Sequence, residues 1–232
     1  MDSNNLVPPA DDSIPTPSPK DVARQLRKPT GNFADAIAEK MDYVNEPLYD
    51  LTLESMKLGI EDSILEIGFG SGRFFQKLFS KVRQLKINGI DYSPEMLNMA
   101  KNHNQDFIDS GNLSLELGCS DDLPFSDDTF DKVFCNMVIY FWDAPGRHLQ
   151  EVYRVLKPGA RFYTGMRTRE SMLKFPFTQY GFRLYDHQKW CEILAQHGFT
   201  KVEIYKQVDD RLVHQNPKIQ LESVCIVAEK HR

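Results

Sequence analysis

A chain of 232 residues, 41% of them hydrophobic and with a formal net charge of −5, is long enough to bury the core of one α/β domain. No stretch reaches the roughly 20 consecutive apolar residues of a membrane span, the acidic start lacks the marks of a signal peptide, and the negative balance offers no global attraction to nucleic acid. Cys119, Cys135, Cys191 and Cys225 contain no C-x-x-C pair, so neither a zinc site nor a disulfide framework is indicated, and a reduced, cytoplasmic protein is expected.

Five of the thirteen prolines fall in the first twenty residues, among Asp2, Asp11, Asp12 and several serines. This composition predicts a disordered or extended Pro-rich tail over 1–30, with 31–232 as a single domain. From Phe33, the residues Ile37, Met41 and Val44 recur at helical spacing, and after Pro47 the pair Leu48 and Leu51 continues on a second short helix. Ser63 to Ile67 is a short apolar run closed by glycines, and Phe74, Phe75, Leu78 and Phe79 then share one helix face. A second strand, Leu85 to Ile90, ends in "GIDYSPEM", where Ser93 caps a helix, Pro94 opens it, and Met96, Ala100, His103 and Phe107 form its stripe.

Leu113 to Leu117 alternates as a third strand, "DDLPFSDDTFD" is loop, and Lys132 to Asn136 is a fourth strand. Leu149, Val152, Tyr153 and Leu156 mark a helix stopped by "KPG" at 157–159, before a fifth strand at Ala160 to Gly165. Asp186 caps a helix carrying Trp190, Ile193, Leu194 and His197, and two β-patterned segments, Lys201 to Val208 and Ser223 to Glu229, close the chain. The absence of a helix pattern between those two favours antiparallel pairing. The alternation predicts a Rossmann-like, doubly wound, mostly parallel seven-stranded sheet with an antiparallel C-terminal strand and helices on both faces. Its ligand belongs at the carboxyl ends of the strands, near the topological switch point.

The first strand runs into "ILEIGFGSGRF" at 64–74. Gly68 and Gly70 fit a dinucleotide loop, but its third glycine is replaced by Arg73, and no Gly-Lys-Ser/Thr makes a P-loop. Glu66 immediately before the loop repels a pyrophosphate and suits a ligand carrying an ammonium or sulfonium group.

Further blocks follow in order: "GIDYSPEML" (89–97), "LPFSDDTFD" (123–131), "FCNMVIYFW" (134–142), "EVYRVLKPGARF" (151–162) and "HGF" (197–199). With "LEIGFGSG" (65–72), they make the chain resemble the class I S-adenosylmethionine-dependent methyltransferases, particularly the large type 11 subgroup acting largely on small molecules. The resemblance implies S-adenosylmethionine as cofactor, S-adenosylhomocysteine as product, and no metal. It places Gly68, Phe69, Gly70 and Gly72 around the methionine part, Glu66 near the cationic part, and Asp91 on the ribose hydroxyls, with Tyr92 and Met96 against the adenine. One departure stands out: where family members often carry the aspartate that accepts from the adenine amino group, this chain has Cys119, so that Ser120, Asp121 or the backbone alone must serve. Asn136 falls near the transferring methyl group.

For the acceptor, Asp42 to Tyr49 is expected to cover the cofactor as a lid. Residues 166–185 form a long insertion that interleaves Arg167, Arg169, Lys174 and Arg183 with five aromatics. Tyr43, Tyr140 and Arg167 are the acceptor-side candidates, and the expected partner is an aromatic or amphipathic small molecule, favoured as an anion by the basic insertion, with neither nucleic acid nor membrane. Tyr140, Trp142, Asp143 and His148 lie near this region, but no histidine and carboxylate are paired closely enough to nominate a base. His148 reads as a solvated surface residue, His103 and His197 as core histidines, and Asp121, Asp122, Asp127, Asp128 and Asp131 as a solvated loop rather than a metal site. Two other functions stay open: a cofactor-binding regulatory or scaffold protein without turnover, consistent with Cys119 and the tail, and a methyltransferase acting on RNA or protein. Oligomeric state is not written in the residues.

Overall fold

A computed structural model describes residues 17–31, 34–82, 84–209 and 220–232. Helix α1 (Pro19–Arg27) precedes α2 (Ala34–Ser55), followed by β1 (Ser63–Ile67), α3 (Phe75–Lys81), β2 (Lys86–Asp91), α4 (Pro94–His103), α5 (Gln105–Asp109) and β3 (Leu113–Leu117). The second half holds β4 (Phe130–Asn136), α6 (Pro145–Val155), β5 (Leu156–Arg167), α7 (Arg169–Met172), α8 (His187–Gln196), β6 (Phe199–Asp209) and β7 (Leu221–Lys230).

The sheet order is β3-β2-β1-β4-β5-β7-β6, with β7 antiparallel to both neighbours and all other pairs parallel. From β1 the chain winds outward to β2 and β3, then returns to place β4 on the other side of β1. The switch point is therefore the crevice between β1 and β4, where Glu66 lies level with Phe134 and Ile67 with Cys135. Both faces are covered, so β1 and β4 are apolar without alternation: Ile64, Leu65, Val133, Phe134 and Cys135 are all buried. One face packs Leu149, Val152, Trp190 and Leu194 of α6 and α8; the other packs Tyr49, Leu53, Leu78 and Phe79 of α2 and α3.

Several expected boundaries move. Pro19–Arg27, assigned to the tail, is helical, because Ser18 caps the Asp21 amide and Pro19 sits where a missing N–H costs nothing; residues 1–16 lie outside the described residues. The two short helices before β1 are a single α2 with Pro47 inside it, and Phe33 is outside the described residues. The stripe from Met96 to Phe107 is broken at Asn104, whose side-chain amide donates to the Gly72 and Ala100 carbonyls at 3.0 and 2.9 Å. "KPG" does not separate α6 from its strand: β5 begins at Leu156. His103 is exposed, its ring bonding the Ser71 carbonyl, and His197 is only half-buried, so neither is a core histidine. In the acidic loop, Asp127 pairs with Arg154, Asp128 with Lys230 and Asp131 with Lys157.

Candidate functional site

At the switch point a cavity of about 250 Å³ opens above the ends of β1, β2 and β4. The glycine loop forms its floor. Gly68, at φ +73°, brings the turn so close to the loop after β4 that a Cβ there would collide with Val138. Gly72, at φ +69°, lies against Ala100, where a Cβ would come within 2.6 Å of the Ala100 methyl. Gly72 therefore serves helix packing and does not line the cavity. Gly70, also at positive φ, has nothing within 4 Å of a Cβ position, so its backbone faces open space.

Two buried carboxyls flank this loop. Glu66 accepts from the Tyr49 hydroxyl at 3.1 Å, and burial, against that bond, pushes its pKa up to about 8, with the Asp91 charge adding to the rise. Asp91 accepts the Gly70 amide on one oxygen at 3.0 Å and the Ser93 amide on the other at 2.9 Å. Burial lifts it to about 6, and those amides hold it down from higher values. A carboxylate offers about four lone-pair directions, so each Asp91 oxygen keeps capacity for a further donor. Asn136, at the end of β4, accepts from Thr52 at 2.8 Å, while its buried side-chain NH₂ has no partner. That is a donor held ready in a polar corner of an otherwise apolar crevice.

Tyr92 and Met96 also line the cavity. Met96 is buried beside Ala38 of α2, and the Tyr92 hydroxyl donates to the Arg27 carbonyl. Next to them, Cys119 is exposed and Ser120 buried, the Ser120 hydroxyl bonding His148 Nδ1 at 2.8 Å. The His148 ring stacks on Trp142 at 4.7 Å with 2° between planes, and burial lowers its pKa. It is thus a cavity wall and not a solvated surface residue. Cys119, Asp121 and His148 offer ligand-type atoms within 4.8 Å of one another, and the Cys119 thiol holds the Asp121 carboxyl below its usual value.

Of the acceptor candidates, only Arg167 lines the cavity. Tyr43 points outward and is 53% exposed. Tyr140 is buried, and its hydroxyl both donates to the Arg167 carbonyl and accepts the Arg167 amide at 2.8 Å, which leaves it no role at the surface of the cavity. Arg167 is itself committed: its guanidinium meets Asp209 at 3.3 Å and Ser223 at 2.5 Å, both buried, and the half-buried Val44 carbonyl at 2.7 Å. The expected insertion does wall the cavity, but with Met172, Phe175, Phe177 and Phe182 and not with Arg169, Lys174 or Arg183.

Residues outside the acceptor-side candidates complete the enclosure. Leu26, Arg27 and Pro29 reach over from the N-terminal segment, and Phe141 from the loop after β4 packs edge-on against Phe182 at 4.8 Å. The Ser71 hydroxyl shares its one proton between the two Asp42 carboxylate oxygens, at 2.9 and 2.7 Å, and burial raises the Asp42 pKa. For α1, the apolar trio Val22, Ala23 and Leu26 was the available signal, obscured by the prolines before it.

A buried acid at the end of each of the first two strands, a bare-backbone loop and a switch-point cavity put the candidate site where open α/β sheets bind their ligands. Comparison with known proteins narrows this. A description of methyltransferase domains matches residues 65–164. Protein MJ1123 of Methanocaldococcus jannaschii is 34% identical over 202 residues, which cover 77% of this chain and 88% of that one. The ubiquinone/menaquinone biosynthesis C-methyltransferase of Geotalea daltonii is 26% identical, with 77% of this chain and 78% of the relative covered. A solved S-adenosylmethionine-dependent methyltransferase of Thermotoga maritima superposes with a TM-score of 0.64 at 25% identity, covering 85% of this chain and 97% of the other. The chain belongs to the class I S-adenosylmethionine-dependent methyltransferase family. Among the described residues, no helix is long and apolar enough to cross a membrane.

Proposed function

We propose that this protein transfers the methyl group of S-adenosylmethionine to a small, predominantly apolar aromatic acceptor. The observation that carries this reading is the mixed polarity of the switch-point cavity. The strand ends and glycine loop contribute Glu66, Asp91, the open Gly70 backbone and the unpartnered Asn136 NH₂, while the segments outside them contribute mainly apolar side chains, among them Phe141, Met172, Phe175 and Phe182.

The residues of the first group fit the cofactor. Asp91 has lone pairs to spare for a vicinal diol, Glu66 would neutralise a nearby cation, and the Gly70 backbone leaves room for close approach. Bound there, S-adenosylmethionine would supply an electrophilic methyl on a sulfonium. The chain's own contribution is to position the acceptor in line and to keep water away, for which an aromatic enclosure is suited. The basic insertion motivated an anionic acceptor, but both arginines that line the cavity are paired, Arg167 of the insertion with Asp209 and Arg27 with Asp143, so an uncharged acceptor fits better.

The test is calorimetry with S-adenosylmethionine, then a methyl-release assay on ring-matched neutral, anionic and cationic acceptors. Binding followed by turnover of a neutral aromatic supports the proposal. Turnover restricted to charged acceptors overturns the acceptor assignment, and no binding overturns the function.

A further inference from the structure

The N-terminal segment crosses the mouth of the cavity and is tied to both banks. On the cofactor bank, Tyr92 donates its hydroxyl to the Arg27 carbonyl, Ser93 donates to the Pro29 carbonyl at 2.9 Å, and the Lys28 ammonium lies 5.3 Å from the Tyr92 ring centre. On the far bank, the Arg27 guanidinium donates to the Phe141 carbonyl at 3.2 Å and to Asp143 at 2.9 Å. Between these ties, Val22, Ala23 and Leu26 of α1 sit on Phe175, Phe177 and Phe182, the aromatics that wall the acceptor end. One short helix thus packs over these aromatics while its last residue, Arg27, and Pro29 just beyond it are held by the two positions immediately after Asp91.

The attachments are few, and the ion pair to Asp143 is exposed and worth little. Such a segment sits at the low-stability end of a protein's local opening free energies. Tyr92 lines the cavity directly after Asp91 in the chain. A nucleoside packed against its ring would restrict the ring, and with it the hydroxyl that holds the Arg27 carbonyl.

We propose that α1 is the roof of the acceptor chamber and that Tyr92 and Arg27 are positioning residues which seat it when the cofactor is bound, so that the chamber is completed only after cofactor entry. This rests on the methyltransferase function proposed above. Because coupling between sites is reciprocal, an acceptor that packs under the roof also tightens the cofactor.

The experiment is amide hydrogen exchange on the full chain with saturating S-adenosylhomocysteine, whose binding is followed independently by calorimetry. Exchange across residues 22–29 is expected to slow about fivefold or more, the lower end of typical coupling between sites. Tyr92→Phe removes only the hydroxyl, and Arg27→Ala removes the far-bank tie together with the guanidinium's own interaction with Tyr92. Each is expected to reduce this protection, whereas Arg27→Lys partly restores it, which a general loss of stability would not do. Equal exchange with and without the bound ligand overturns the proposal, as does protection in Tyr92→Phe and Arg27→Ala matching the unaltered chain. Calorimetry that registers no binding removes the cofactor assignment and this inference with it.

Discussion

At the glycine-loop end of the cavity, the decisive groups are buried and ionisable: Glu66 and Asp91 are 4% and 7% exposed, and each lies at the last turn of a central strand. At the acceptor end the groups are aromatic and aliphatic, and they come from α1, α2, the loop after β4 and the segment following β5. The first end is built from strand termini that the sheet register already holds side by side, as with Ile67 and Cys135 across β1 and β4. The second is built from pieces that meet only through tertiary packing. On the proposed function, rigid scaffold would serve the cofactor and the grafted segments the acceptor.

The sharpest way to break this contrast is to put a charge into the apolar end. Asp209→Asn leaves the Arg167 guanidinium buried without its carboxylate, and removing one partner of a buried pair costs about 3–5 kcal/mol. Chemical denaturation is expected to show that loss, and ligand binding to shift toward anionic aromatics. A variant as stable as the parent would mean that solvent or another group already screens Arg167. Next in size, Asp91→Ala takes two charged acceptors from the cofactor end, worth about 2–4 kcal/mol together, or roughly 30- to 1,000-fold in cofactor affinity by calorimetry. A change under about threefold would remove Asp91 from the ribose contact. Smaller again, Gly68→Ala forces a side chain into a left-handed conformation against Val138, costing about 1–3 kcal/mol in backbone strain beyond the collision. Adding Val138→Ala is expected to recover only the collision part of the thermal shift.

The same contrast explains what could be read from the residues alone. Glu66, Gly68 and Gly70 form one local pattern, an acid before a run of alternate glycines, that the residues alone display, whereas only the family resemblance points to Asp91 and Asn136. Arg167 was visible as a cation, but the Asp209 that neutralises it lies in β6, and nothing local pairs the two. Tyr140 looked available because a sequence cannot show that its hydroxyl is taken by the Arg167 backbone. His148 looked solvated because only the fold brings the Trp142 ring, from a different element, flat against it. Helix α1 was hidden in a proline-rich context, since its stability comes from Phe177 and its neighbours rather than from its own composition.

The mildest test addresses whether Glu66 faces the cofactor's positive charge. Burial, opposed by the Tyr49 hydroxyl, raises Glu66 from an ordinary value of 4.5 to about 8, so it is largely protonated at neutral pH in the ligand-free protein. Between those values the folded chain binds a proton that the unfolded chain has released, and stability contributed by this group falls as pH rises. A cationic ligand reverses the preference, because it favours the carboxylate and expels that proton. Cofactor affinity is therefore expected to climb with pH up to about 8, by at most tenfold per pH unit for one proton released, and to level off above it. Asp91, raised to about 6, adds a shallower slope in the acid range. Thermal unfolding followed from about pH 5 to 8 is expected to give a stabilisation by S-adenosylmethionine that grows with pH, and Glu66→Gln to flatten it. A slope that survives Glu66→Gln unchanged would show that the proton is released elsewhere, leaving Glu66 and Tyr49 as a buried structural pair and the cofactor's cation compensated by another group.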